Sequence, residues 1–135
     1  MPNDIAQQWL QSSARTAKHM DLDAHMNLIS KRVSLTGVPG FESIGYDDWA
    51  AQCRHEFENG LIKDVRYDGF KPLGKTPNRI MFKTCETVEA KDGTVTAQGI
   101  EVLLEQEEDG VWRLLQERVL PEDEARHDKL IASKL

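Results

Sequence analysis

The residues best suited to chemistry are acidic and basic side chains that alternate with apolar ones in the last third of the chain. Glu101 is the first candidate, because an acid facing an apolar cavity can hold its proton near neutral pH and act as a general acid or base. Arg118 could bind an oxyanion or an anionic group of a substrate. The alternative is structural, a plain ion pair of Arg118 with Glu101 or with Glu86.

A second group of candidates lies near the N-terminus: His19, Asp21, Asp23 and His25. On one continuous helix His19 would share a face with Asp23, and Asp21 with His25, so the four could not all converge on a metal ion. A helix break would let them converge, but it would equally explain both aspartates as helix caps. We therefore predict no metal site, and regard His25, or else His19, as an acid–base partner at a cavity mouth.

A mostly apolar cavity with a few converging polar groups is typical of small-molecule sites. The residues predicted to line it, as a set, are Trp9, Met26, Phe82, Thr84, Leu103, Trp112, Leu114 and Gln116. Trp9, Trp49 and Trp112 fall on apolar stripes of predicted elements, which favours a packing role over a cofactor site. No cofactor is predicted.

These residues must be positioned by a three-stranded antiparallel meander from Arg79 to Leu120. Runs rich in β-branched and aromatic residues predict its strands, and the turn sequences KDG and EEDG separate them. Four-residue loops would pair Glu89 with Thr94 in the first hairpin, and Gln106 with Val111 in the second.

This register distributes the side chains between two largely apolar faces. The face predicted to be concave carries Glu101 and Arg118, together with Phe82, Leu103 and Leu114. The opposite face is predicted to meet a second copy of the chain in a homodimer, through Ile100, Val102, Leu104, Leu115 and Val119. A sheet that is apolar on both sides must be covered on both sides.

The remaining elements follow from hydrophobic periodicity and end signals. Helices are predicted from a cap at Asn3 to about Met20, after Asp21 or Asp23, and from Tyr46 to Asn59. One strand covers residues 31–37, and another covers residues 61–70 and breaks near Gly69. Residues 71–77 are predicted to form a turn-rich connection, and a short helix after Leu120 is expected to fray or to dock on a partner subunit.

The composition is that of a soluble globular domain of 135 residues, 39% hydrophobic and 30% charged. We expect one domain over residues 1–120, followed by a tail or short helix over residues 121–135. The net charge of −6 argues against nucleic acid as a partner. Without a membrane-length apolar run or a signal-peptide pattern, a cytoplasmic location is expected, with no membrane partner.

The two cysteines, Cys53 and Cys85, are isolated, so free thiols in a reducing compartment are expected. The final residues, Ser133-Lys134-Leu135, spell a peroxisomal address, which would apply only in a eukaryotic cell.

The predicted order is α-α-β-α-β-β-β-β with an optional last helix, an α+β fold with a mostly antiparallel sheet. This order, together with DLDAHMNLI, YDDWAAQCRHEF and DGVWRLLQERV, resembles the nuclear transport factor 2-like superfamily, in particular its SnoaL-like branch. The resemblance spans roughly residues 3–120. It implies a curved sheet wrapped around the N-terminal helices into a cone-shaped barrel, with a pocket inside and frequent dimerisation.

Within that family, tyrosines of ketosteroid isomerases donate to a substrate carbonyl, a role open to Tyr46 or Tyr67 here. No tyrosine lies in the first predicted helix and no aspartate ends the first strand, so the full isomerase set is absent. The paired-aspartate and arginine set of the epoxide hydrolases is also absent.

Two functions therefore remain open. The first is a pocket protein for a small apolar, oxygen-bearing ligand, which either carries out cofactor-free proton transfer of the isomerase, cyclase or dehydratase type or only holds the ligand. The second is a non-catalytic module for dimerisation or protein association, since the fold serves both uses. A cavity that a ligand can enter favours the first, and a cavity filled by Trp112, Phe82 and Met26 favours the second.

Overall fold

The computed structural model describes residues 4–131, in which four helices and five strands follow one another in the predicted order. The helices are α1 (Ile5–Lys18), α2 (Leu22–Met26), α3 (Tyr46–Glu58) and α4 (Glu122–His127). The strands are β1 (Ile29–Thr36), β2 (Ile62–Thr76), β3 (Arg79–Ala90), β4 (Val95–Gln106) and β5 (Trp112–Val119). The α+β class is confirmed.

Aspartates begin the first two helices. Asp4 caps α1 by accepting a hydrogen bond from the Gln7 backbone N–H at 3.3 Å, whereas the predicted cap, Asn3, lies outside the described residues. Asp21 caps α2 by accepting from the Ala24 backbone N–H at 3.2 Å. Met20, with a φ of 54°, separates the two helices. Asp21 therefore has the capping role that was the alternative to metal binding.

The strands form one sheet in the order β1-β5-β4-β3-β2, in which only β1 and β5 are parallel. The prediction of a curved, mostly antiparallel sheet is confirmed. The description as a barrel is wrong, because β1 and β2 lie at opposite edges and the described residues do not pair them.

Strand β2 is longer than predicted. It stays paired with β3 from Ile62 to Thr76, so the turn-rich connection expected over residues 71–77 is largely strand. Bulges accommodate the residues that seemed to end it: Gly69, with a φ of 73°, lies at one of them, and Pro72 immediately precedes another.

The predicted register is wrong in both hairpins. The first loop is one residue longer than assumed, so Glu89 pairs with Val95, and in the second hairpin Gln106 pairs with Trp112. A further shift lies between Leu103 and Leu104, opposite Leu115. Because successive side chains point to opposite faces, a slip of one residue moves every side chain of β4 to the other face.

The face assignments are corrected accordingly. Ile100, Val102 and Leu104, predicted to form the dimer face, are almost inaccessible and pack with α1 in the main core. We call this helix-covered side the inner face. Glu101 and Leu103 instead lie on the opposite side, the outer face. The homodimer stays a prediction, but three of the residues that motivated it are interior.

Helix α4 covers part of the outer face of its own sheet, whereas the sequence favoured fraying or a partner subunit. A second, smaller core of Cys85, Leu120, Ala125 and Leu130 forms beneath it. Gly99 permits this contact, since a Cβ there would lie 2.8 Å from the Ala125 Cβ. Among the described residues, no helix is long and apolar enough to cross a membrane.

Candidate functional site

An interior cavity of about 210 Å³ lies between the inner face and the helices α1, α2 and α3. Aromatic residues form much of its wall: Trp9, Trp49, Phe57 and Tyr67. Its polar lining consists of Ser13, His25, Cys53, Glu56, Tyr67, Glu86 and Glu117. The sheet brings Tyr67 and Glu86 together because they are direct cross-strand partners in β2 and β3.

A short hydrogen-bond chain runs along the cavity wall. The Tyr67 hydroxyl donates to Glu86 Oε2 at 3.0 Å, and Ser13 Oγ lies 3.1 Å from the Tyr67 hydroxyl oxygen. Since the tyrosine proton is used on Glu86, the Ser13 hydroxyl is the donor of the second bond. Burial, followed by the nearby Glu86 charge, raises the pKa of Tyr67 well above its usual value, so the phenol stays protonated.

Two carboxyl groups, those of Glu86 and Glu117, share the interior cavity. Burial is the main reason that the pKa of Glu117 lies well above its usual value, and the charge of Glu86 adds to it. Burial also raises the pKa of Glu86, although hydrogen bonds from Tyr67 and Gln98 oppose the rise. Two like charges in one poorly solvated space disfavour double ionisation, so the pair tends to hold one proton between them.

Of the two carboxyl groups, that of Glu117 has fewer hydrogen bonds. The residue is 8% exposed, and it forms no side-chain hydrogen bond with the described residues. Its oxygens nevertheless are not sealed within protein, because no fully inaccessible, unbonded side-chain oxygen occurs among those residues. The Glu117 carboxyl group therefore faces the space of the interior cavity.

His25 lies on the same cavity in its neutral form. Burial lowers its pKa to about 4, and its ring lies edge-on to Phe57 at 5.5 Å between centroids. Its Nδ1 lies 2.8 Å from Thr16 Oγ1, whose hydroxyl donates to backbone carbonyl groups of α1. Nδ1 therefore carries the ring proton and Nε2 is the unprotonated nitrogen.

Cys53 is a poor nucleophile. Burial raises the pKa of its thiol to about 12, so the thiolate required for attack is scarce at neutral pH. The acid–base capacity of the cavity thus rests on its carboxyl groups, Tyr67 and His25.

The leading sequence candidates, Glu101 and Arg118, lie on the outer face. Arg118 Nε and Nη2 each donate to a Glu101 carboxylate oxygen at 3.2 Å, and Nη2 also donates to Glu124 of α4 at 2.8 Å. This is the structural ion pair that was the alternative interpretation. The prediction that both side chains line the cavity is wrong, because the register that placed them there is shifted. A catalytic role for Glu101 stays a prediction: with Arg118 it lines a separate depression of about 180 Å³ on the outer face.

The predicted pocket residues are dispersed. Trp9 lines the interior cavity, whereas Phe82 and Leu114 are fully buried in the core. Leu103 and Gln116 lie on the outer face with Glu101. The others line or fill different places: Met26 borders a polar surface depression, Thr84 donates to backbone carbonyl groups of β2, and Trp112 lines an open groove beside the start of α1.

Sequence reasoning missed Glu117 and Ser13 and found Tyr67 and Glu86 only as separate residues. The predicted register placed the side of β5 that carries Val119, and with it Glu117, on the face opposite the cavity. A five-residue first loop would have corrected it, because pairing Glu89 with Val95 places the apolar residues Ile100, Val102 and Leu104 on the inner face.

Comparisons with known proteins give information on the fold. No family profile matches the chain, and no curated protein matches it. An NTF-2-like protein of unknown function from Shewanella oneidensis MR-1 aligns with a TM-score of 0.72 at 16% identity, over 88% of this chain and 98% of that one. The chain has the nuclear transport factor 2-like fold.

Two other structures with this fold have names that refer to enzymes. A ketosteroid isomerase-like protein from Erwinia carotovora atroseptica SCRI1043 aligns with a TM-score of 0.58 at 19% identity, over 84% of this chain and 90% of that one. A scytalone dehydratase-like protein from Novosphingobium aromaticivorans DSM 12444 aligns with a TM-score of 0.66 at 7% identity, over 84% and 79%. At these identities the likeness concerns the fold alone.

Proposed function

We propose that this nuclear transport factor 2-like chain binds a small, oxygen-bearing molecule in its interior cavity and carries out proton transfer on it without a cofactor. The observation that carries the proposal is the Glu86–Glu117 pair, two carboxyl groups with raised pKa values on one cavity. Groups that titrate nearer to neutral pH than usual are typical of acid–base sites.

The pair offers both partners of a proton transfer. The carboxyl group that holds the shared proton can donate it to a carbonyl or hydroxyl oxygen, while the ionised one removes a proton elsewhere on the ligand. The Tyr67 hydroxyl, at 3.0 Å from Glu86, favours the ionised form of that residue. Glu117, with no hydrogen-bonding partner among the described residues, is therefore the better proton donor.

The size of the cavity limits the ligand. Its volume of about 210 Å³ is below the range of about 300–1,000 Å³ common for ligand pockets. The ligand should accordingly be smaller than a steroid. A reaction of the isomerase or dehydratase type, to which the names of two structural relatives refer, needs only such an acid and base.

The test is deuterium exchange next to the carbonyl group of cyclohexanone, followed by NMR in heavy water. We expect the wild-type chain to accelerate the exchange, and Glu86→Gln and Glu117→Gln each to lower the acceleration by about 10²-fold or more. Glu58→Gln, at an exposed position of α3, is the matched control and should keep the wild-type rate.

Glu101→Gln distinguishes the two candidate sites. If the proposal is right, this substitution on the outer face leaves the exchange rate close to that of wild type. Loss of exchange in Glu101→Gln, with Glu117→Gln still active, would move the site to the outer face and contradict the proposal.

A further inference from the structure

The interior cavity has many hydrogen-bond acceptors and few free donors. Its lining includes three glutamates, Glu56, Glu86 and Glu117, and neither lysine nor arginine. Its donors are already used: the Tyr67 hydroxyl donates to Glu86, and Trp9 Nε1 donates to the Leu28 carbonyl oxygen at 3.1 Å. A ligand that fits this wall must bring donors of its own.

The carboxyl group of Glu117 is an acceptor in the cavity that lacks a hydrogen-bond donor. More than nine-tenths of the residue is buried, no described residue donates a hydrogen bond to it, and its carboxyl group faces the cavity. Ionisation of this carboxyl group without a partner is costly, which favours its protonated form in the empty cavity, and a cation placed against it would offset that cost and favour the carboxylate. Among residues 4–131, no side-chain cation performs this task.

Metal ions do not fit the position. The described residues contain no group of histidine, cysteine, aspartate or glutamate side chains arranged to hold a metal ion. The wall beside the carboxyl groups is instead aromatic, with Trp9, Trp49 and Phe57. Aromatic faces attract organic cations as well as apolar groups, and indole does so most strongly.

We propose that the ligand of the interior cavity is a small primary amine in its protonated form, with the ammonium group against Glu117 and Glu86 and the carbon skeleton among the aromatic side chains. This inference rests on the proposed function, since it names the ligand class of the same cavity. The carboxyl pair with one shared proton carries a single negative charge, which a monovalent ammonium neutralises. That proton remains available for transfer to an oxygen elsewhere on the ligand.

The shape of the cavity sets the size of the amine. A volume of about 210 Å³ accommodates one aromatic or alicyclic ring with a short aminomethyl arm. Glu56, partly exposed in α3, adds a second negative charge to that of the carboxyl pair and favours entry of a cation.

The experiment compares benzylamine with benzyl alcohol, which has nearly the same shape and no charge, by calorimetric titration of the full chain at neutral pH. We expect benzylamine to bind about tenfold more tightly or better, as charge-assisted hydrogen bonds in a buried site require. Glu117→Gln should remove this preference, Glu86→Gln should reduce it, and Glu58→Gln should leave it unchanged. Circular dichroism confirms that each variant is folded.

Three results would overturn the inference: no binding of benzylamine, equal binding of the two compounds, or a preference for the amine that survives Glu117→Gln. Equal binding of both compounds, with cyclohexanone exchange still dependent on Glu117, would leave the proposed function intact and remove only the amine. Tight, Glu117-dependent binding of benzylamine without any exchange of cyclohexanone would support the amine as the ligand and contradict the proposed proton transfer.

Discussion

At the scale of single residues, the interior cavity combines groups whose charges cost stability in opposite pH ranges. Glu117 is disfavoured in its ionised form and His25 in its protonated form. The same apolar surroundings thus disfavour the charged form of both residues. Glu117 therefore favours folding most at low pH and His25 at neutral pH and above, so their contributions to the pH dependence of stability oppose each other.

Replacing Glu117 by glutamine should stabilise the chain at alkaline pH. The pKa of Glu117 is raised by folding, so its contribution is present below the unfolded pKa and is lost as the pH rises through the folded pKa. At pH 8 we expect Glu117→Gln to have a higher free energy of unfolding than wild type, and the difference to be smaller at pH 5. Urea denaturation at pH 5 and pH 8 measures this, with Glu58→Gln as the control. A variant less stable than wild type at pH 8 would contradict this prediction, because it would show that the folded protein stabilises the Glu117 carboxylate.

Replacing His25 by glutamine should affect the acidic side. Its folded pKa of about 4 lies below the unfolded value of 6.5, so its contribution is complete above pH 6.5 and is lost as the pH falls towards 4. Wild type should lose up to about 3 kcal/mol over this range from His25 alone. The slope of unfolding free energy against pH between 4 and 6.5 should be shallower in His25→Gln. Equal slopes would mean that His25 titrates normally.

At the scale of elements, the sequence predicted the kinds and order of elements well, and predicted contacts across the sheet poorly. Hydrophobic periodicity and capping residues locate α1, α3 and the strands, since each of these segments has an apolar face that must be buried. The register depends on the length of the first hairpin loop, which the turn Lys91-Asp92-Gly93 does not specify. One additional loop residue places Val102, instead of Glu101, on the inner face. Glu117 was lost to the site for this reason alone.

The C-terminal element shows a similar gap. Residues 121–131 include few apolar residues, so the sequence did not predict that α4 packs on its own sheet. Charge provides much of the attachment: Lys83 Nζ donates to Glu124 at 3.0 Å and to Asp128 at 2.7 Å. Hydrogen bonds from Arg118 and then Lys83 lower the pKa of Glu124 to about 2, and hydrogen bonds from Lys71 and then Lys83 lower the pKa of Asp128 to about 2. Such cross-element pairs depend on the register and cannot be read from the segment itself.

Enlarging Gly99 should loosen α4. The added methyl of Gly99→Ala would lie 2.8 Å from the Ala125 Cβ and 3.2 Å from Leu120 Cδ1, so the helix must shift. We expect a loss of about 1–3 kcal/mol, as overpacking commonly costs, and faster hydrogen exchange in α4. Gly74→Ala is the control, because nothing lies within 4 Å of a Cβ there. Unchanged exchange in Gly99→Ala would contradict the close packing of α4 on β4.

At the scale of the whole molecule, one sheet separates two unlike environments. Its inner face encloses the aromatic, acidic cavity under the helices, and its outer face carries the ion pairs and α4. A homodimer stays a prediction, and any such contact has to use a surface other than the buried Ile100, Val102 and Leu104. The function we propose depends only on the inner environment.

Titration of the Glu86 and Glu117 carboxyl groups, followed by ¹³C NMR, measures whether the cavity holds a carboxyl pair that shares one proton. We predict that the carboxyl pKa of Glu117 lies well above that of exposed glutamates and that Glu86→Gln lowers it, since the variant removes a neighbouring negative charge. If both carboxyl groups titrate at the ordinary value for glutamate and independently of each other, the cavity does not hold a pair that shares one proton and the proposed function is wrong.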